Sequence, residues 1–230
     1  MRFFWAIILG MLLCTACSQL PPVQPFPADE RPTQGQWESK FPKQKRLYIH
    51  SIQAVFAGQG RRTFMGITRV DPQTRDIRCN ILTVEGMLLF DATLRQEELE
   101  IGHQVPPFDS QHFARGLMQD IQLVFFPPQG KIVARGMTDS QAPIRRFQVS
   151  EQETIDLIVP PDNQAWILHK YVDAKLVRSV KAQDPISQES KSHAYAPPRS
   201  MELTAHGEEM DYTLRMELLE TETLSPDEGI

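Results

Sequence analysis

Ile77-Arg78-Cys79-Asn80-Ile81-Leu82-Thr83-Val84-Glu85-Gly86-Met87-Leu88-Leu89-Phe90-Asp91-Ala92-Thr93-Leu94 is the stretch on which the fold turns. Ile77, Cys79 and Ile81 alternate with Arg78, Asn80 and Leu82, the period of two that puts successive side chains on opposite faces of a strand. Val84-Glu85-Gly86-Met87 reads as a tight turn. Leu88, Phe90, Ala92 and Leu94 then share one face of a second strand. Two alternating strands joined by so short a turn are antiparallel neighbours with one buried face.

The same pattern continues outward. Upstream, Ile52, Ala54 and Phe56 share a strand face, and Gly58-Gln59-Gly60 offers a hairpin turn before a strand over 64–70. Asp71-Pro72-Gln73 closes that strand, since proline pre-sets the turn dihedral. Downstream, Leu99 and Ile101 predict a short fifth strand. After Pro106 and Pro107 the period changes: Asp109 or Ser110 can cap a helix in which Phe113, Leu117, Met118 and Ile121 recur at helical spacing. Gly116 weakens this helix, and Pro127-Pro128 stops it. Strands return over 132–135, 147–149 and 154–159, then 166–172 and 176–181 as a hairpin around Asp173-Ala174-Lys175. Met201 to Thr204 and the alternating Tyr212, Leu214, Met216 and Leu218 form a terminal hairpin. The fold class is mainly β with α: a curved antiparallel sheet, twisting around a central helix.

The ends read differently. Arg2 precedes an apolar run from Phe3 to Leu13, followed by the small residues Thr15 and Ala16 and then Cys17. This resembles the export signal of bacterial lipoproteins, with Cys14 where Leu is usual. The run of about eleven residues is too short for a membrane span of roughly 20. A plain secretory signal with an incidental cysteine is the other alternative. The resemblance implies cleavage after residue 16 and diacylglyceryl and acyl groups on Cys17. Two chains hold a protein stably on a bilayer. Ser18 in that setting implies sorting to the outer membrane, with the domain facing the periplasm. Residues 17–40, with five prolines from Pro21 to Pro32, read as a tether, residues 41–224 as one β domain, 183–199 as a long polar loop and 225–230 as a flexible tail.

Composition excludes several function classes. The net charge is -5 and no basic stripe carries interleaved aromatics, so nucleic acid is not an expected partner. Among three cysteines, Cys14 leaves with the signal and Cys17 takes lipid, so Cys79 has no disulfide partner and reads as a small buried apolar side chain. The six histidines have no His-x-His or His-x-x-x-His spacing; they read as separate surface or loop residues, and no metal or other cofactor is expected. Asp109-Ser110 beside His112 is explained by a helix cap better than by a triad, and Glu85 with Asp91 by turn and edge solvation. No catalytic residue is assigned, and an enzyme is not expected.

What remains is apolar surface. Phe56, Phe64, Ile81, Leu88, Phe90, Phe113, Leu117, Leu214 and Met216 form the inward set. Alternation alone favours a solid core over a hollow one, because pattern does not distinguish the two.

Val84-Glu85-Gly86-Met87-Leu88-Leu89-Phe90 is similar to the central hairpin of LolB-type lipoproteins. The segment Pro197-Pro198-Arg199-Ser200-Met201-Glu202-Leu203-Thr204 resembles the approach to their last strands. The helix from Gly116 to Pro127 looks more like a sister family of LolB-like lipoproteins, often encoded in fatty-acid or polyene-type biosynthetic clusters. The resemblance spans roughly 47–219. It implies an unclosed β-barrel with helices as a lid on the concave face, and an apolar cavity that accepts a lipid or acylated ligand from a periplasmic LolA-like carrier. It also implies a membrane-facing turn at Val84, Glu85, Gly86 and Met87, although Glu85 stands where LolB exposes an apolar residue. The alternative is a structural or protein-interaction lipoprotein with a filled core and no carried ligand.

Overall fold

The computed structural model describes residues 20–27, 34–56, 60–161, 165–183, 195–207, 211–225 and 227. The expected signal peptide, Cys17 and Ser18, most of the 183–199 loop, residues 58 and 59 of the first hairpin turn and most of the C-terminal tail lie outside them.

Twelve strands form one antiparallel sheet: β1 (Arg46–Phe56), β2 (Gly60–Asp71), β3 (Asp76–Leu82), β4 (Leu88–Arg95), β5 (Glu98–Gln104), β6 (Lys131–Met137), β7 (Pro143–Gln148), β8 (Glu153–Ile158), β9 (Ala165–Val172), β10 (Lys175–Gln183), β11 (Ser200–Ala205) and β12 (Tyr212–Thr223). Among the described residues two helices accompany it, α1 (Gln34–Glu38) and α2 (Gln111–Phe125). The spatial order is β5-β4-β3-β2-β1-β12-β11-β10-β9-β8-β7-β6. A meander runs outward from β1 to β5, α2 carries the chain to the opposite edge, and a second meander returns from β6 until β12 pairs with β1. The sheet is curved and unclosed, with α2 on its inner face. Sequence alternation predicted this class of fold.

Turn chemistry sets several registers. Asp173 and Ala174 take φ of 50° and 61°, and Gln96 and Glu97 take 47° and 71°. Each pair bridges strands that meet at once, Val172 with Lys175 and Arg95 with Glu98. Left-handed values at both central positions match the twist of the strands they join. Lys175 therefore begins β10 rather than completing the turn.

Helix α2 begins where Ser110 accepts a hydrogen bond from the Phe113 N–H at 3.0 Å, which satisfies one of the free donors of the first turn. It ends at Phe126, before Pro127. Ala114, Met118, Ile121, Val124 and Phe125 are buried against the sheet. The fully buried Trp166, Tyr48, Phe90, Phe126, Ile77 and Leu168 share this core.

Four expectations change. Residues 147–149 were expected as a strand, but β7 runs from Pro143 to Gln148. Proline suits a first strand position, and the charged Arg145-Arg146 pair conceals the alternation. Arg146 is buried, pairing with Asp156 directly across the ladder through two 2.7 Å hydrogen bonds.

The 17–40 stretch is not simply a tether. Gln24 bridges Met137 of β6 through main-chain hydrogen bonds of 2.9 and 2.8 Å, and the Pro21 carbonyl accepts from Arg146 at 2.8 Å. Val23 packs with Ile144, Ile158 and Ile167 on the outer face of β7–β9. Further on, Trp37 and Phe41 are buried in the main core, with Arg145 over the Trp37 ring and Phe41 5.3 Å from Trp166. Main-chain pairing requires no apolar period, so proline-rich composition misleads here. β8 is consequently buried on both faces.

His50 is not a surface residue. It is 3% exposed on the inner face of β1, between Tyr48 and Phe125. Leu88 does not share the inner face with Phe90. A bulge at Leu89 shifts the pairing so that Ile81 meets Phe90 while Leu82 meets Leu88, and the extra residue reverses the phase. Leu89 is buried and Leu88 is 37% exposed.

Candidate functional site

Between α2 and the inner faces of β1–β3 and β12 lies a hollow of about 410 Å³. Ile52, Ala54 and Phe56 of β1 line it, with Phe64 of β2, Ile81 of β3 and Leu214 of β12. From above, Phe108, Phe113, Gly116 and Leu117 close over it. Phe108 stacks edge-on against both Phe64 and Phe113, at 5.5 and 5.2 Å between ring centres. These contacts hold the start of α2 over the sheet. At Gly116, a Cβ atom would meet open space. The glycine that weakens the helix also leaves the hollow unfilled.

Six of the nine inward residues read from the sequence line this space: Phe56, Phe64, Ile81, Phe113, Leu117 and Leu214. Phe90 is instead fully buried behind it, 6.1 Å from Phe113. Met216 packs against the core from β12, and Leu88 faces outward. Sequence alternation predicted the inward faces and left open which side chains fill the interior and which border a void.

One polar cluster on the wall was not predicted. Asp120 of α2 is buried; it accepts from the Arg178 guanidinium of β10 at 2.8 Å and from the Tyr212 hydroxyl of β12. The Arg178 guanidinium also lies over the Tyr212 ring at 5.7 Å. Burial pushes the Asp120 carboxyl up, against the opposing pull of Arg178. The Tyr212 hydroxyl is also pushed up, by burial and then by the charge of Asp120. Burial works against the Arg178 charge, but Asp120 outweighs it and holds the guanidinium protonated. Arg178 and Tyr212 line the hollow while Asp120 lies behind them. The available signal was Asp120 itself, which falls on the apolar stripe of α2 with Phe113, Leu117, Ile121 and Val124.

The remaining sequence candidates separate. Ser110 is the α2 cap. Asp91 faces outward and holds Arg78 at 3.1 Å and Asn80 at 2.8 Å across the ladder, a cross-strand role. Cys79 is buried, and its thiol is pushed up to about 12 by that burial. Among the described residues no group of three His, Cys, Asp or Glu side chains could hold a metal, and no helix is long and apolar enough to cross a membrane. A second hollow of about 370 Å³, bordered by Arg75, Glu97, Arg115, Gln119 and Gln122, is polar where the first is greasy.

At the β3–β4 turn, Val84 is 64% and Met87 62% exposed, beside the exposed Leu88. Glu85 stands between them, its carboxyl held below the usual range by its own backbone N–H and then the Thr83 hydroxyl. Gly86 takes φ of 91° and lets the chain reverse.

The described residues thus form a curved antiparallel sheet wrapped around a helix, with a hollow between them. The fold is similar to that of a LolA superfamily protein from Nitrosomonas europaea, at 8% identity and a TM-score of 0.54, covering 85% of this chain and 95% of that one. It is also similar to a domain assigned to outer membrane lipoprotein sorting from Vibrio parahaemolyticus, at 8% identity and a TM-score of 0.51, covering 85% and 92%. No protein-family model and no curated protein matches the sequence. At this identity the likeness establishes the fold, within which a closer kinship to LolB is not distinguished.

Proposed function

We propose that this protein is an envelope lipoprotein, acylated on Cys17 and facing the periplasm from the outer membrane. It binds a lipid or acylated ligand in the hollow beneath α2 and assists its transfer or membrane localisation. No bond in the ligand is made or broken. The observation that carries this reading is the 410 Å³ hollow, lined mainly by Phe, Ile and Leu side chains. Close packing is the rule in protein interiors, and a void of this size falls within the range of ligand pockets. Each methylene moved from water into such a site contributes about 0.8 kcal/mol. Tight retention therefore needs no polar chemistry.

The turn at Val84, Met87 and Leu88 supports contact with a bilayer: three apolar side chains project together into solvent. The ionised Glu85 among them limits how deep the turn goes, because a buried unpaired carboxylate is costly. Contact at the headgroup level fits this composition. A LolA-like carrier in the periplasm is the natural donor or acceptor.

The test is direct. The protein is purified from membranes and its bound lipid extracted and measured by mass spectrometry. An acyl compound at about one equivalent, beyond the anchor on Cys17, is the expected result. Absence of any such compound, together with no uptake of added fatty acid, would leave only the anchored scaffold.

A further inference from the structure

We infer that the hollow is built for one acyl chain carrying an anionic head, with the head at Arg178 and the tail running toward β3. This rests on the lipid-binding reading above and specifies its ligand.

Volume sets the chain number. A cavity of about 150 Å³ holds benzene, which allots about 25 Å³ to each carbon. The 410 Å³ here then accommodates roughly 16 carbons at that allotment. That is one chain of ordinary length, and not the several chains of a lipoprotein anchor.

Polarity along the hollow sets the direction. Its lining strands are β3, β2, β1, β12 and β10, and β3 and β10 stand five inter-strand steps apart in the sheet order, or about 24 Å measured along the sheet. At the β3 end stand Ile81, with Phe64 and Phe108 close by, and Ser110 and His112 line the space at the start of α2; at the β10 end stands Arg178, beside Tyr212 and Gly207. Arg178 is the one permanently charged side chain among the described lining residues, and no described carboxylate lines the space. The carboxylate nearest to it, Asp120, lies behind the wall, holding Nε of Arg178 and accepting from Tyr212. Asp120 is a positioning residue: it takes Nε while Nη1 donates to the Val177 carbonyl at 2.9 Å, and Nη2 lies in the same fixed plane. A guanidinium edge pairs best with a carboxylate or phosphate. Both a fatty acid and a lysophospholipid have this chemistry.

The experiment uses the chain from Ser18 onward, which contains every described element of the fold, and titrates it by native mass spectrometry and calorimetry. The probes are palmitate, 1-palmitoyl-lysophosphatidylglycerol, 1-hexadecanol and hexadecyltrimethylammonium. Palmitate or the lysophospholipid is expected to bind one per chain, at least tenfold tighter than the cationic probe, and the tighter of the two identifies the head as carboxylate or phosphate. Arg178→Gln alone strands Asp120, so the key variant pairs it with Asp120→Asn, which keeps a neutral hydrogen-bonded couple. In that variant the preference of palmitate over hexadecanol disappears, through a loss of palmitate affinity. Equal binding of the cationic probe would overturn the head assignment, and two or three chains per protein would overturn the single-chain assignment. Failure of all four probes, hexadecanol included, would strike the lipid-binding reading itself.

Discussion

Two ends of the same concave face are finished differently. Under β8–β10 the interior is solid: Trp166, Leu168, Ile155, Leu157 and Val180 are buried, and Trp37 and Phe41 from the N-terminal stretch pack among them. Under β1–β3 and β12 the strands present Phe56, Phe64 and Leu214 in the same alternation, yet these side chains border a void. The strands do not make the difference. At one end α1 delivers a tryptophan into the sheet; at the other α2 presents Gly116, whose missing side chain leaves the space open. Filling or hollowing this fold is decided by what covers the sheet.

The largest contrast comes from removing a ring at each end. Trp166→Ala is expected to destabilise the protein by about 3–5 kcal/mol, the usual cost of a large buried aromatic. Phe64→Ala is expected to cost about 1 kcal/mol, since its ring already borders empty space. Urea unfolding of both variants compares them, and equal losses would mean that the hollow end is as tightly packed as the solid one.

His50 lies between the two ends and gives the next effect. Burial lowers its pKa from the ordinary 6.5 to about 4, so the folded chain holds the ring neutral. Between pH 6.5 and about 4 the unfolded chain takes up a proton that the folded chain refuses, so stability falls as pH drops through this window, by up to about 3 kcal/mol. Above pH 6.5 the contribution is flat. His50→Phe should shallow the slope measured by urea midpoints at pH 7 and 4.5; an unaltered slope would assign the acid sensitivity elsewhere.

Gly136 tests how the solid end is sealed. A Cβ there would overlap the Gln24 carbonyl oxygen, so Gly136→Val forces the N-terminal segment off β6, at about 1–3 kcal/mol. Hydrogen exchange at the Gln24 amide, now bonded to Met137, should accelerate sharply. The smallest stability effect belongs to Leu88→Asp, within about 0.5 kcal/mol because the side chain is exposed. The same variant should lose association with phospholipid vesicles in a flotation assay while keeping acyl binding; loss of acyl binding would return Leu88 to the cavity wall.

Sequence alternation carried most of the fold: the strands, the helix with its Ser110 cap, and the inward faces of Phe56, Phe64, Ile81, Phe113, Leu117 and Leu214. It failed where structure rests on something other than side-chain period. The Leu89 bulge reverses phase without any marker in composition. Gln24 joins β6 through main-chain groups, which every residue but proline supplies in full. Arg146 and Asp156 are buried as a pair, and neither alone reads as interior. The Asp120–Arg178–Tyr212 cluster joins residues from three separate elements, and only the placement of Asp120 on the apolar stripe of α2 hinted at it.

Gly116→Leu puts the account to its most direct test. Leucine favours a helix over glycine by roughly 0.5–1 kcal/mol, and its side chain would project into the hollow. An acyl site beneath α2 predicts a protein at least as stable as the parent in urea that no longer binds palmitate in calorimetric titration. Undiminished palmitate binding by this variant would contradict it, because the acyl chain would then lie somewhere other than beneath α2.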